Sequence, residues 1–171
     1  DAIVHLAAYT DVSAAFTQKG DKTSACYQTN VIGTKNAITL ANHFNSHLIH
    51  LSTDFIFNGK TASPITESPT PEPIEWYGTT KLLAEELVQA GADRWTIARI
   101  SYPWSVRSGA RLNLVTHLIQ QLRKGMPLSL FDDQIITPTF LDDIADSLAR
   151  LITSPPKGNE IFHVTGPTHR T

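Results

Sequence analysis

Apolar and polar positions along the chain change their period several times, and each change marks an element. Residues 3–6 (IVHL) make a compact run followed at once by small residues, the pattern of a central parallel strand ending at a ligand-facing loop. From about Thr23 to Phe44 the spacing turns helical, with Val31, Ile32, Ala37, Ile38, Leu40 and Ala41 able to share one face. HLIHLST (47–53) predicts a second strand. Between Phe57 and Glu75 stand Pro64, Pro69, Pro71 and Pro73 among several Ser and Thr, which predicts an ordered loop, because such a run forms neither a helix nor a central strand. A helix is expected over Tyr77–Gln89 with Gly91 as its C-cap, then a third strand, RWTIARIS (94–101).

This order of strands and helices predicts an α/β fold: a Rossmann-like, doubly wound parallel sheet with helices on both faces. Ligands of such sheets bind beyond the carboxyl ends of the strands. Those ends read AAYT, STDF and SYPW, all carrying hydroxyls. Beyond Pro103 the pattern predicts a helix over Arg111–Lys124, a short LSLF strand, the segment DDQIITPTF, a helix over Leu141–Ile152 and a last strand, EIFHV. These elements are expected to build a smaller lobe on the carboxyl side of the sheet, giving a division into residues 1–102 and 103–171, with some elements interleaved.

Composition narrows the function classes. With 171 residues, 41% hydrophobic and 18% charged, the chain is one globular domain or most of one. Lys plus Arg is 14 against 16 for Asp plus Glu, so no basic surplus points to nucleic acid or an anionic membrane. No apolar run in the sequence approaches the roughly 18 residues of a membrane span. The single cysteine, Cys26, excludes an internal disulfide and suits a reducing cytoplasm. Seven histidines raise the question of a metal. His43 and His47 are four apart, but Asn45-Ser46 is expected to end the helix between them and no third ligand is spaced to join, so no metal site is predicted. His5 and His50 fall within apolar strands and read as packed, hydrogen-bonded core residues. No G-x-S-x-G elbow occurs.

The stretch YGTTK (77–81) carries the sharpest chemistry. Residues four apart on a helix share a face, so Tyr77 and Lys81 are expected to address one pocket. An ammonium near a phenol favours the phenolate and draws the tyrosine pKa down from about 10. That would make a usable proton donor.

HLAAYT, NVIGT, LSTDFIFNG, YGTTK and TPTFLDDIA follow one another in an order that resembles the extended short-chain dehydrogenase/reductase family over essentially the whole chain. STDFIFNG, the placing of Glu67 and Pro73 ahead of Tyr77, and DQIITPT are most similar to its dTDP-4-dehydrorhamnose reductase (RmlD-like) branch. The resemblance implies a catalytic triad of Thr53, Tyr77 and Lys81. Tyr77 would be the acid, Lys81 would tune it and bond the nicotinamide ribose, and Thr53 would donate or relay through its hydroxyl. It further implies cofactor contacts at Ala7, Ala8, Thr10, Asn30, Ser52 and Pro103. For Asn30 a buried structural amide is an equal alternative, and for Ser52 a hydroxyl satisfying backbone. Substrate contacts are implied at Asp54, Phe55, Trp104, Asn113, Gln134, Pro138 and Thr139. Phe55 replaces the tyrosine usual in that branch, and SYPW departs from its Ser-Trp order.

The implied activity is NAD(P)H-dependent reduction of a nucleotide-activated 4-keto-6-deoxy sugar in deoxysugar and polysaccharide biosynthesis, with NADP or NAD as cofactor and a homodimer as the expected assembly. Two alternatives stay open: a sugar-nucleotide epimerase of the same fold, and a cofactor-binding regulatory subunit without turnover. A dehydratase is disfavoured, since Thr53 is followed by Asp54-Phe55 rather than Asp-Glu. The family's glycine-rich phosphate loop is not found in this sequence, so residues 1–102 are expected to be the later part of a dinucleotide-binding domain whose first strand–turn–helix units precede Asp1.

Overall fold

The computed structural model describes residues 1–60, 64–106, 114–128, 130 and 134–168. In chain order these form β1 (Ala2–His5), α1 (Val12–Phe16), α2 (Ala25–Tyr27), a π-helical turn (Gln28–Ile32), α3 (Gly33–His43), β2 (His47–Thr53), a 3-10 turn (Asp54–Ile56), α4 (Trp76–Gly91), β3 (Trp95–Ile100), β4 (Pro103–Trp104), α5 (Leu114–Arg123), β5 (Thr139–Phe140), α6 (Leu141–Thr153) and β6 (Glu160–Val164). The main sheet is parallel throughout, in the order β1-β2-β3-β6, and β4 pairs with β5 in a separate two-stranded ribbon. No helix among the described residues is long and apolar enough to cross a membrane.

Alternation along the strands decides what each face covers. Ile3, Leu48, Trp95 and Ile97 meet Ile38 and Ala41 of α3 and Val88 of α4, which closes the core on one face. The alternate residues Phe162 and Val164 of β6 turn to the other side, where they line a cavity with Asp143, Ser147 and Leu151 of α6. Helices therefore cover both faces, as the doubly wound pattern predicts.

Several boundaries differ from the sequence expectation for identifiable reasons. Strand β1 ends at His5 rather than Leu6, which is 55% exposed beyond the last residue paired to β2. The single helix expected over Thr23–Phe44 starts behind a Ser24 cap and is broken by the π turn, which periodicity cannot register because it inserts one residue into the repeat. Short α1, capped by Asp11, was below the length at which a helical period is visible. Gly91 is the last helical residue, and Ala92 N–H closes the helix onto the Val88 carbonyl. Leu128 and Leu130 are not in a strand, and Ser129 and Phe131 lie outside the described residues. EIFHV joins the main sheet beside β3 and is not part of a separate lobe.

One buried ion pair ties the sheet to the proline-rich segment. Arg99 points from β3 into the core, and its guanidinium meets Glu85 of α4, with Nη2 to Oε2 at 2.7 Å and Nε to Oε1 at 3.0 Å. The Arg99 and Glu85 side chains are 4% and 0% exposed. Arg99 Nη1 donates to the Glu67 carbonyl at 3.3 Å, and the guanidinium lies 5.3 Å from the Phe57 ring centre. From β6, His163 N–H donates to the Glu67 carboxylate at 3.0 Å and Nδ1 contacts the Ile65 carbonyl at 3.1 Å. Removing one member of a buried pair leaves the other charge uncompensated. Glu85→Ala is expected to cost about 3–5 kcal/mol of stability, read from the urea midpoint.

Candidate active site

The carboxyl end of β2 and the first turn of α4 are pressed together by a missing side chain. Glu75 caps α4, accepting from Tyr77 N–H at 2.7 Å and from Gly78 N–H. A Cβ on Gly78 would overlap the Phe55 carbonyl oxygen, so only glycine lets the helix rest on that backbone. Trp76 stacks on Tyr27 at 6.3 Å between ring centres. These contacts hold Tyr77 over the end of β2.

Thr53 closes β2, buried, and its hydroxyl donates to Asp54 Oδ1 at 3.2 Å while accepting from Phe55 N–H at 3.3 Å. Asp54 Oδ2 accepts from Ser101 at 2.6 Å, joining the ends of β2 and β3. Burial raises the Asp54 carboxyl above its ordinary range despite these bonds. The Phe55 ring stands edge-on to Tyr77 at 5.7 Å and tilted against Tyr102 at 5.9 Å.

Tyr77 and Lys81 correct the expectation for this pair. The Tyr77 phenol is pushed up to about 12, first by burial; the neighbouring carboxylates of Asp54 and Glu75 add to this, and a hydrogen bond with Thr53 pulls part of the way back. Lys81 does not draw it down, because its ammonium turns to β2 and donates to the Leu51 carbonyl at 2.6 Å. That acceptor is open for a topological reason. His47 N–H bonds to Asp1 and Leu48 N–H to Arg94, so successive residues of β2 address β1 and β3 in turn. Leu51 falls on the β1 side, one residue past the last β1 pairing, His5 with His50. Burial lowers the Lys81 amine from 10.5 to about 8, with Glu85 opposing the shift.

The remaining expected residues fall into three groups. Ala7, Ala8 and Thr10 follow the end of β1, where Tyr9 N–H donates to Asn30 Oδ1 at 2.7 Å. The Asn30 amide, 1% exposed, also donates to Thr80 Oγ1 at 2.9 Å, so its side chain is spent inside the protein, in favour of the structural alternative. Ser52 Oγ is buried at the strand end with no partner among the described residues. In the second group, Pro103 pairs with Thr139, Trp104 packs its ring on Phe140 at 5.0 Å, and Thr139 donates to the Ser101 carbonyl at 2.8 Å. The Pro138 carbonyl abuts Gly166, where a Cβ would overlap it. Gln134 Nε2 donates to the Tyr102 phenol at 2.6 Å. Asn113 alone lies outside the described residues. Among those described, no group of three His, Cys, Asp or Glu could hold a metal ion.

Residues 1–171 match the family described as RmlD substrate binding domain. The chain belongs to that family. It is 32% identical over 171 residues to a dTDP-4-dehydrorhamnose reductase of Sinorhizobium fredii, covering 97% of this chain and 55% of that protein. It is 31% identical over 165 residues to the spore coat polysaccharide biosynthesis protein SpsK of Bacillus subtilis, with 96% and 55% covered. A dTDP-4-dehydrorhamnose reductase of Bacillus anthracis, solved in complex with NADP, superposes with a TM-score of 0.87 at 27% identity over 99% of this chain and 57% of that one. The chain spans about half the length of the relatives it matches.

Within this RmlD-family chain, Tyr102 is the site aromatic that the sequence reasoning passed over in favour of Trp104. It sits beside Phe55 in a left-handed conformation with φ of 39°, uncommon for a residue with a side chain and often a mark of function. Its place in SYPW, directly after the strand, was the available signal.

Two measurements follow from the packing and the charges. Gly78→Ala is expected to cost about 1–3 kcal/mol in urea denaturation, since helix or loop must shift to admit the methyl. Lys81 gives a stability that rises with pH: from about 8 to 10.5 the unfolded chain holds a proton the folded one has lost. The rise approaches about 1.4 kcal/mol per pH unit. Tyr77 acts in the opposite sense above 10. The difference between wild type and Lys81→Met at each pH isolates the lysine, and the rise should vanish in the variant.

Proposed function

We propose that the whole protein reduces the 4-keto group of a nucleotide-activated 6-deoxyhexose with NADPH or NADH, in deoxysugar and polysaccharide biosynthesis. The observation that carries this proposal is the convergence of the Thr53 hydroxyl, a buried Tyr77 phenol and the Lys81 amine at the end of β2. The relatives named as dTDP-4-dehydrorhamnose reductases, one in complex with NADP, support the substrate class and the cofactor.

The residues at the strand ends fit a dinucleotide. Ala7 and Ala8 offer little bulk against its approach, and Ser52 Oγ is a buried hydroxyl without a partner among the described residues. When bound, a reduced nicotinamide supplies hydride, which is the difficult chemistry. The protein's own part is orientation and proton supply. Tyr77 directs its hydroxyl at the carbonyl oxygen, where negative charge develops, and Thr53 joins it by turning its one hydrogen away from Asp54. A phenol pushed up to about 12 stays protonated at any working pH, which is the state a donor needs; the rising basicity of the reduced oxygen draws the proton across. The Lys81 ammonium has three hydrogens; one goes to Leu51 and one faces His50 Nε2, which leaves the third for a ribose hydroxyl. Asp54 and Phe55 line the sugar side, with Tyr102 and Gln134 across from them and residues from 103 onward forming most of the substrate lobe. A cytoplasmic location and a homodimer belong to the same proposal.

The test is NADPH oxidation by the full-length protein with dTDP-4-keto-6-deoxy-L-mannose. Tyr77→Phe is expected to lower kcat by about 100-fold or more. Unchanged turnover in that variant removes Tyr77 from the mechanism. Tightly bound oxidised cofactor without net NADPH consumption would favour the epimerase, and cofactor binding without turnover the regulatory subunit.

A further inference from the structure

Two histidines stand behind the lysine, and neither has a part in the chemistry above. His50 is fully enclosed in β2, and its Nδ1 has no partner among the described residues. Its Nε2 lies 3.5 Å from Lys81 Nζ, and its ring is 5.4 Å from that of His5 on β1, tilted by 32°. His5 Nε2 in turn is 3.1 Å from Thr34 Oγ1, whose own hydrogen goes to the Asn30 carbonyl at 2.7 Å.

The hydrogens can be assigned along this row. Thr34 has spent its proton, so it accepts from His5 Nε2–H. An ammonium can only donate, so His50 turns the lone pair of Nε2 to Lys81 and carries its own proton on Nδ1. A buried N–H without an acceptor costs stability that a leucine in the same place would not. Packing alone therefore does not account for a histidine at position 50, and among the described residues the polar group within hydrogen-bond reach of its ring is Lys81.

We propose that His50, backed by His5, is a positioning residue for Lys81: its Nε2 and the Leu51 carbonyl together seat the ammonium at the end of β2. The proposal rests on the reductase reading only in so far as that reading gives Lys81 a task. The titratable and charged groups around Lys81 are His5 on β1, His50 on β2, Glu85 and Tyr77 one turn away in either direction along α4, and Arg99 of β3, which is tied to Glu85. Burial holds both imidazoles below their ordinary range, so they face Lys81 uncharged. A neutral lone pair favours the charged amine. Its removal makes Lys81 lose its proton at lower pH.

The experiment follows the pH dependence of the Lys81 ε-carbon chemical shift in full-length protein labelled with 13C-lysine, the signal being assigned by its loss in Lys81→Met. His50→Leu is expected to lower the titration midpoint by about one unit, a tenfold change in proton affinity. His50→Met, closer in flexibility and less demanding to pack, should move it the same way. His50→Gln, whose amide oxygen can accept, should restore at least half the difference. A midpoint unchanged in either folded apolar variant overturns the proposal, as does a glutamine variant shifted as far as the leucine one. The titration needs neither cofactor nor sugar, so failure of the protein to oxidise NADPH would sink the reductase reading and leave this result to stand or fall by itself.

Discussion

The first turn of α4 lies on the backbone that leaves β2, and the rest of the site depends on that contact. Gly78 meets the Phe55 carbonyl without an intervening side chain, while Glu75 takes up two of the N–H groups the new helix leaves open. With the helix start fixed against the strand end, Tyr77 has one place to go, over Thr53. One turn further on, Lys81 reaches the end of β2 from the same face. A larger residue at position 78 would separate the helix start from the strand end without altering Thr53, Tyr77 or Lys81 themselves.

Burial then decides the charges. Taking Tyr77 and Asp54 out of water raises both acids, and taking Lys81 out of water weakens its hold on its proton. All three shifts favour the neutral form, so the site leans toward holding protons on oxygen and away from a standing phenolate–ammonium pair. Spacing four apart on a helix suggested such a pair. It misleads here because a shared face says nothing of which acceptor a long side chain will find, and the open Leu51 carbonyl is the better one.

The sheet was legible because its strands are short apolar runs with small residues at their ends. HLIHLST and EIFHV match β2 and β6 residue for residue. Covering helices were legible where their period is long. The π turn, the five-residue α1 and the β4–β5 ribbon were not, since each is shorter than the pattern that would reveal it. Thr53, Tyr77 and Lys81 were proposed as a set through family motifs; periodicity alone offered only the Tyr77–Lys81 spacing. Tyr102 was passed over because a tryptophan two residues on drew the expectation, whereas the backbone turns at Tyr102 itself and sends Trp104 to Phe140. The role of His50 could not be read from an apolar strand pattern, which assigns a buried histidine to packing whatever its ring touches.

The mooring of the proline-rich segment also orders events in time. Ile65 and Glu67 are held by His163, a residue 98 and 96 positions later in the chain. During synthesis the segment leading into Glu75 and Tyr77 emerges long before β6 exists to receive it, and such distant partners are slow to meet because a long intervening loop must close first. Mooring of this segment therefore waits on β6, and a nascent chain paused ahead of Glu160 would hold Thr53, Tyr77 and Lys81 without the anchor on the segment that leads into α4.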